Sequence, residues 1–222
     1  MCGIIGYVGH RTSEVLQRGI KRLTYRGYDS WGFGFKNGNE IEVIKDIGDV
    51  ENIGKLNING NSKIGICHTR WATHGGVTKE NAHPHTCCEN KIAVVHNGII
   101  ENYRELKKEL IERGHEFRSD TDTEVISHLI EESYKINENF PEAVKDVVPK
   151  LRGCYAFVAV HKDFDGLVGI KNGSPLVVGV GNSNHGQSEY FIASDVIAFL
   201  EYTKKVIYLD DGEMAVVKCR CQ

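Results

Sequence analysis

Hydrophobic residues recur with two different periods along this chain, and the first to appear is a strand pattern. The run Gly3–Val8 is short, apolar and bounded by glycine, which predicts a buried strand. From Val15 to Leu23, apolar residues recur every three or four positions, which predicts a helix with its cap at Thr12 or Ser13. A strand followed directly by an amphipathic helix is therefore expected at the N-terminus.

Helical periodicity returns in the middle of the chain. Asn102 and Glu105 have the spacing of a capping box, and Gly114 supplies a stop signal for the helix between them. Asn139 and Pro141 are typical of the start of a later helix. The predicted helices span residues 103–113, 123–135 and about 139–148.

Short runs rich in β-branched and aromatic residues account for most of the remaining sequence. Predicted strands span residues 32–36, 41–45, 63–68, 92–96, 154–161, 167–171, 176–180, 190–193, 206–209 and 213–218. Turn signals follow or separate them at Asn37-Gly38, Asn97-Gly98, Asp165-Gly166 and Asp211-Gly212. A short helix is expected after Asp49. Strands joined by hairpins around a helical block indicate one α+β layered domain over residues 2–222.

Composition limits the classes of partner. Hydrophobic residues make up 41% of the sequence, enough to bury a core, so disorder is not expected. The formal net charge of −3 argues against a polyanion-binding surface, and no nucleic acid partner is expected. No apolar run reaches the roughly 18–20 residues that cross a bilayer, so no membrane partner is expected either. Without a signal peptide, we expect a cytoplasmic protein with reduced thiols.

The residue that follows the initiator methionine is a cysteine. Removal of Met1 would leave Cys2 with a thiol and a free α-amine, whose reference pKa values are about 8.5 and about 7.7–8.0. A nucleophile and a general base would then lie on one residue. The alternative is that Cys2 only begins a buried strand, because free cysteine is among the most buried residue types.

Three further polar clusters lie in predicted loops or at strand ends, where functional sites usually lie. They are Arg26 to Asp29; His68 to Gly75, continued by Asn81 to His85; and His96 to Gly98, with Asp120 to Glu124 beyond the next helix. The second lies in an aperiodic stretch, residues 69–88, and a loop of that length is usually functional or disordered. Each cluster also has a simpler interpretation: a surface charge at Arg26, a turn at Asn97-Gly98 and a helix N-cap at Asp122.

Together these clusters match what amide hydrolysis by a thiol requires. The side-chain N–H of Asn97 and the backbone N–H of Gly98 can stabilise an oxyanion. Arg70 can bind a carboxylate through two parallel hydrogen bonds, and Asp122 can pair with an ammonium group. Groups that bind a carboxylate and an ammonium suit free glutamine, whose side-chain amide would then reach Cys2.

Histidine and cysteine are abundant, which raises the question of a metal. Five histidines lie in or beside the clusters: His68, His74, His83, His85 and His96. No two of them form an H-E-x-x-H motif, so we interpret them as hydrogen-bonded loop residues. Cys219 and Cys221 lack a second pair at zinc-finger spacing and are interpreted as strand residues. No metal and no cofactor are therefore expected.

Six strings combine into one pattern: Met1 to Ile4, Tyr25 to Ser30, His68 to Gly75, Asn81 to His85, His96 to Gly98 and Ser119 to Glu124. This pattern resembles the class II glutamine amidotransferases, which are N-terminal-nucleophile hydrolases. The resemblance runs from Cys2 to about Met214 and is closest to the branch that passes ammonia to fructose-6-phosphate. It implies a four-layer αββα sandwich of the α+β class.

The resemblance also implies the catalytic roles. Cys2, freed by removal of Met1, would be the nucleophile, and its α-amine would shuttle the proton through a water molecule. Asn97 and the Gly98 amide would form the oxyanion hole, and Arg26 would belong to a loop packed beside the nucleophile.

The substrate-binding roles follow in the same way. Arg70, helped by Thr73 and His74, would hold the carboxylate of L-glutamine, and Asp122 would hold its amine. Trp71 would lie in a loop that covers glutamine and gates the ammonia.

Two features depart from the family pattern. Residues 86–91 are slightly longer than expected and are assigned to a surface loop. The family's enzyme, expected to be a homodimer, continues into a sugar-phosphate isomerase domain, whereas this chain stops at Gln222; that domain is either removed or on a companion chain. Three alternatives stay open: a glutaminase domain of another class II amidotransferase, an amidase for a different amide, and a non-enzymatic glutamine-sensing module.

Overall fold

Twelve strands form two antiparallel sheets in the part of the chain that the computed structural model describes, residues 2–53, 62–182 and 189–219. They are β1 (Gly3–Val8), β2 (Ser30–Asn37), β3 (Glu40–Ile47), β4 (Ile64–Arg70), β5 (His85–Thr86), β6 (Ile92–Ile100), β7 (Gly153–His161), β8 (Gly166–Asn172), β9 (Val177–Val180), β10 (Tyr190–Ala193), β11 (Val206–Tyr208) and β12 (Met214–Lys218). The larger sheet has the order β11-β9-β10-β1-β4-β2-β3, and the smaller has the order β12-β8-β7-β6-β5.

The α-helices of the described residues are α1 (Thr12–Lys21), α2 (Tyr103–Glu112), α3 (Glu124–Asn137) and α4 (Phe140–Val147). α1 begins at Thr12 with Arg11 in the cap position, so the predicted cap at Thr12 or Ser13 is wrong. The short helix expected after Asp49 is a 3-10 turn, and the Asp49 side chain caps it. Within the three described segments, no helix is both long and apolar enough to cross a bilayer.

Three clusters of buried apolar side chains mark the boundaries between layers. The first joins α1 to the outer face of the larger sheet, around Leu16 and Phe33. The second fills the space between the two sheets, around Ile66 and Val158. The third joins the smaller sheet to α2, α3 and α4, around Leu129. Three boundaries separate four layers, which confirms the predicted αββα sandwich of the α+β class.

The inner strands are buried on both faces, which explains their continuous apolar runs. In β1, Ile4 packs between the sheets, whereas Ile5 packs against α1. In β6, Val95 packs between the sheets and Val94 faces the helices. Successive residues of a strand point to opposite faces, so a strand covered on both sides needs apolar residues at every position.

The predicted turn at Asn97-Gly98 is wrong, because β6 continues through both residues to Ile100. Gly98 lies opposite Tyr155 of β7 and has a φ of 112°, a conformation that glycine adopts easily. Pairing with β7 therefore outweighs the local turn preference. Asn97 and Gly98 consequently lie within β6, where Asn97 is buried and Gly98 is exposed.

Other local predictions also need correction. Asp211-Gly212 joins β11 to β12, which lie in different sheets, so it is not a hairpin turn between paired strands. Cys219 follows the end of β12, and Cys221 lies outside the described residues. The segment 86–91 is not simply a surface loop, because Cys87 is fully buried against the helices.

Asn102 precedes α2, as predicted, but its side chain does not cap the helix. Its Nδ2 donates to the Lys150 carbonyl (2.9 Å) and its Oδ1 accepts from the Arg152 N–H (3.0 Å). Asn139 does cap α4, accepting from the N–H of Glu142. Hydrogen bonds to a neighbouring segment therefore replace the capping hydrogen bond of Asn102.

The two sheets bring the predicted site residues to one edge of the sandwich. Gly3 lies opposite Thr69 in the β1–β4 register, so Cys2 and Arg70 come to the same end of the larger sheet. Across the interface, His68 Nε2 of β4 lies 3.1 Å from Asn97 Oδ1 of β6. The N-terminus of β1 therefore meets the end of β4 and the middle of β6.

Candidate active site

Cys2 lies half-buried, directly before β1. Its Sγ accepts a hydrogen bond from the Trp71 backbone N–H (3.2 Å) and lies 3.5 Å from the Trp71 carbonyl. The Asn97 side-chain Nδ2 donates to the Cys2 carbonyl (2.8 Å). The Trp71 backbone, just after β4, therefore holds the thiol, and the Asn97 amide of β6 holds the Cys2 carbonyl.

Electrostatics keep the Cys2 thiol protonated near neutral pH. Burial raises its pKa, and the opposing effects of the Trp71 N–H and of the Arg70 guanidinium are smaller. A raised pKa means that the thiol needs a base before it can attack. Met1 lies outside the described residues, so the α-amine as that base stays a prediction.

Asn97 and Gly98 present two potential N–H donors beside Cys2. A side chain at Gly98 would collide with the Cys154 carbonyl of β7, so this position holds glycine for space as well as for its positive φ. Gly98 lines the same cavity as Cys2. An oxyanion hole needs donors fixed before the reaction, and a strand provides that rigidity.

His68 orients the Asn97 amide. His68 is fully buried, and its Nε2 lies 3.0 Å from the His96 carbonyl and 3.1 Å from Asn97 Oδ1. Both partners are acceptors, so Nε2 carries the proton and donates. This hydrogen bond holds Asn97 Oδ1 away from Cys2 and directs Nδ2 towards it.

Replacing His68 by leucine should lower kcat for glutamine by about 10-fold with little change in KM, because the Asn97 donor would lose its orientation. His68→Gln keeps a donor and should recover most of kcat. Steady-state kinetics on both variants, with melting temperatures as the control for folding, distinguish orientation from stability. Equal losses in the two variants would contradict the orienting role.

Arg70 is buried, and its guanidinium is surrounded by the loop that follows β4. Nη1 donates to the Gly76 carbonyl (3.1 Å), and Nη2 donates to the carbonyls of Gly75 (3.2 Å) and His74. Asn81 Nδ2 also donates to the Gly76 carbonyl (3.1 Å). Arg70, the residue predicted to bind the substrate carboxylate, thus holds the loop in place through hydrogen bonds to its carbonyls.

Asp122 approaches the site from the segment before α3. It is buried, and its Oδ2 accepts from the Ile100 N–H (2.7 Å). This bond fixes the carboxylate at the end of β6 rather than at the N-cap of α3, where Thr123 lies. The N-cap interpretation of Asp122 is therefore wrong.

Most of the predicted residues surround one small cavity of about 20 Å³; Asn97 is not in its lining and contacts Cys2 beside it. Its lining comprises Cys2, Arg70, Trp71, Thr73, His74, His83, His96, Gly98, Thr121, Asp122 and Thr123. That volume suits a water molecule rather than an amino acid. A roomier cavity of about 460 Å³ elsewhere has Lys45 and Glu124 in its lining but no cysteine.

Arg26 lies outside the lining of the Cys2 cavity. Its Nη2 donates to Asp195 Oδ2 (3.0 Å), and its Nε donates to the Tyr25 hydroxyl (3.1 Å). The side chain is buried, which overturns its interpretation as a surface charge. The neighbouring Gly27 packs against the backbone of residues 70–71, so this loop supports the site from behind.

His68, His85 and His96 are hydrogen-bonded, as interpreted from the sequence, but they lie on β4, β5 and β6 rather than in loops. The layer that they form behind the cavity was not predicted. Thr123 Oγ1 pairs with His96 Nδ1 (2.8 Å), and the His96 N–H donates to His83 Nδ1 (3.2 Å). Burial lowers the pKa of His83 and of His96, so both imidazoles stay neutral. Burial also lowers the pKa of His68 to about 3. The motif positions of these histidines signalled importance but not this supporting role.

Comparisons with known proteins agree with this geometry. A profile of the glutamine amidotransferase domain matches residues 68–201. The glutamine–fructose-6-phosphate aminotransferase (isomerizing) of Thermococcus kodakarensis is 55% identical and that of Pyrococcus horikoshii is 51% identical. Each alignment covers 98% of this chain and 36% of the relative, so the chain spans about a third of these proteins.

A solved structure extends the comparison to a different branch. The glutamine phosphoribosylpyrophosphate amidotransferase of B. subtilis superimposes with a TM-score of 0.78 at 26% identity, covering 98% of this chain and 47% of that one. The two sheets, the cysteine-centred edge and the matching profile agree. The chain belongs to the class II glutamine amidotransferases, with the fold of the N-terminal-nucleophile hydrolases.

Proposed function

We propose that this chain hydrolyses L-glutamine to glutamate and ammonia through a γ-glutamyl thioester on Cys2. The observation that carries the proposal is that Cys2, Gly98, Arg70 and Asp122 line one cavity, while the Asn97 amide is bonded to the Cys2 carbonyl beside it. Together these groups suit the two ends of a free amino acid that carries a side-chain amide.

The steps assign each group one task. After removal of Met1, the α-amine of Cys2 takes the thiol proton through a water molecule, and Sγ attacks the amide carbon of glutamine. Asn97 and Gly98 stabilise the resulting oxyanion. The proton then passes to the amide nitrogen, the C–N bond breaks and ammonia leaves. Water attacks the thioester, which releases glutamate and restores the thiol.

The relatives' names support a proposal for the destination of the ammonia. Residues 2–222 would form the glutaminase domain, and the ammonia would pass to a sugar-phosphate isomerase domain on the same chain or a companion chain. In that enzyme fructose-6-phosphate would become glucosamine-6-phosphate, with Trp71 gating the transfer. A homodimeric full enzyme in the cytoplasm belongs to the same proposal.

An electrophilic glutamine analogue tests the nucleophile. We expect one label per chain, on Cys2, in protein whose intact mass shows that Met1 is gone. The label should be prevented by excess glutamine, because both compete for one cavity. Labelling of another cysteine would overturn the proposal. A retained Met1 in the natural protein, with glutamine binding but no turnover, would favour a sensing module instead.

Substrate truncation tests the roles of Arg70 and Asp122. Arg70→Ala should raise KM for glutamine about 10- to 100-fold, because a charge-assisted carboxylate contact would be lost. The variant should also cease to discriminate between glutamine and 4-aminobutanamide, which lacks the carboxylate. Asp122→Asn should lose the corresponding preference over glutaramate, which lacks the ammonium.

The matched control is Arg152→Ala, since Arg152 is an exposed arginine away from the cavity. Its KM for glutamine should equal that of the unmodified chain. If Arg70→Ala left KM unchanged, the site would accept amides without free α-groups. That result would favour an amidase for another substrate.

A further inference from the structure

Four side chains that could bind a metal converge on the helical side of the domain, outside the Cys2 cavity. They are Cys88, His115, His128 and Glu131. One ligand atom from each lies within 4.8 Å of all the others. Cys88 is half-buried and the other three are buried, so this is an interior cluster rather than a surface group of acidic residues.

Three separate segments supply these atoms. Cys88 lies in the turn between β5 and β6, and His115 follows the end of α2. His128 and Glu131 lie three residues apart on α3, which puts them on one face of that helix. The cluster therefore links the β5–β6 turn, the segment after α2 and α3, which are not adjacent in the sequence.

The spacing of the atoms suits a tetrahedral ion. Cys88 Sγ lies 3.5 Å from His115 Nδ1 and 3.6 Å from His128 Nδ1, and the two Nδ1 atoms are 3.1 Å apart. Glu131 Oε2 lies 3.3 Å from His115 Nδ1 and 3.9 Å from His128 Nδ1. Zinc bonds of about 2.0–2.1 Å to nitrogen and about 2.3 Å to sulfur give ligand–ligand separations of about 3.3–3.6 Å.

Hydrogen bonding alone accounts poorly for the arrangement. At most one proton can lie between the two facing Nδ1 atoms. Glu131 Oε2 is buried and accepts no hydrogen bond within the described residues; Lys135 Nζ lies 4.0 Å from it, and the other oxygen of Glu131 accepts from the Glu89 N–H (3.3 Å). A buried carboxylate oxygen directed at two imidazoles and a thiol is expected where a cation binds.

The outward nitrogens of both histidines face carboxylates. His115 Nε2 lies 3.4 Å from Glu132 Oε1. His128 Nε2 lies 3.6 Å from Glu124 Oε1, too far for a hydrogen bond, and has no hydrogen-bond partner within the described residues. Glu124 is itself held by the N–H groups of Arg118 and Ser119, at 2.8 Å each. Histidines that bind metals commonly pair their second nitrogen with a carboxylate, which leaves the first nitrogen free for the ion.

We propose that Cys88, His115, His128 and Glu131 bind one zinc ion in a structural site. The thiolate and the carboxylate balance the charge of Zn²⁺, and the two imidazoles bind as neutral ligands. Four protein ligands complete the tetrahedron and leave no open position for catalysis. The ion joins the β5–β6 turn to the end of α2 and to α3.

The sequence-based expectation that the protein binds no metal did not involve these four residues. It rested on the histidines around the Cys2 cavity and on Cys219 and Cys221. Cys88 and His115 are 27 residues apart in the sequence, and His115 and His128 are 13 apart. Only the fold brings these ligands together. The extra segment 86–91, which supplies Cys88, gains a function by this proposal.

Metal analysis of the chain, purified without a polyhistidine tag, tests the proposal. We expect one zinc per chain by inductively coupled plasma mass spectrometry. Removal of the zinc by a chelator should lower the melting temperature of the protein. Cobalt in place of zinc should give the intense visible bands of a tetrahedral site and a thiolate-to-cobalt charge-transfer band in the near ultraviolet. Cys88→Ser should lose the zinc and the charge-transfer band.

Two further variants sharpen the test. Cys154→Ser removes an exposed cysteine remote from the cluster and should keep the full zinc content. Glu132→Gln leaves all four ligands in place and should weaken zinc binding by about 10- to 100-fold, since it removes the partner of His115.

Zinc well below one per chain in the unmodified protein, together with no thiolate band on cobalt titration, would overturn the proposal. Zinc that persists undiminished in Cys88→Ser would also overturn it. None of these measurements depends on glutamine turnover. A failure of the zinc proposal is therefore distinguishable from a failure of the glutaminase proposal.

Discussion

Replacing Cys2 by alanine should abolish glutamine hydrolysis, with kcat reduced by at least about 10⁴-fold. The reaction needs a nucleophile that forms and releases an acyl group, and among the described residues the only sulfur in the lining of the cavity is that of Cys2. The fold should survive, because the sulfur contacts the Trp71 backbone at a half-buried position. Glutamate release, measured on protein lacking Met1, provides the readout.

The other cysteines give this prediction its controls. Burial raises the pKa of Cys67 well above its ordinary value and that of Cys87 to about 12, so neither supplies a thiolate near neutral pH. Cys154→Ser changes an exposed thiol and should keep full activity. Substantial activity in Cys2→Ala would place the nucleophile elsewhere and remove the basis of the thioester mechanism.

The elements that the sequence predicted well are those whose pattern matches their burial. β1 was predictable because layers cover both of its faces, and α3 because one face of it packs against the smaller sheet. The errors lie where a distant segment competes with a local signal. Pairing with β7 keeps Asn97-Gly98 in a strand instead of a turn. The Asn102 side chain bonds the backbone of residues 150–152 instead of capping the helix.

The site was predictable as a set of residues but not as a geometry. The strings around Cys2, Arg70, Asn97 and Asp122 identified four groups that do line or contact one cavity. Nothing in those strings indicates that the Trp71 N–H contacts the thiol, or that the carbonyls of the following loop occupy Arg70. Such contacts depend on the relative positions of two sheets, which a linear pattern does not encode.

Replacing Asn97 by alanine should lower kcat by about 10²–10³-fold while KM for glutamine changes little. In the free site, one N–H of Asn97 Nδ2 donates to the Cys2 carbonyl (2.8 Å), and the second N–H is available to the oxyanion only when the tetrahedral intermediate forms. Its contribution therefore belongs to the transition state rather than to substrate binding. Steady-state and pre-steady-state measurements of ammonia and glutamate release separate acylation from hydrolysis of the thioester.

Both chemical steps pass through an oxyanion on the same carbon, so Asn97→Ala should slow both of them. Asn172→Ala is the matched control, because Asn172 is an exposed asparagine that also donates to a backbone carbonyl, that of Gly153 (2.9 Å). It should keep the kcat of the unmodified chain. A rise in KM with unchanged kcat in Asn97→Ala would mean that Asn97 binds substrate, and the Gly98 amide would then need a different partner in the oxyanion hole.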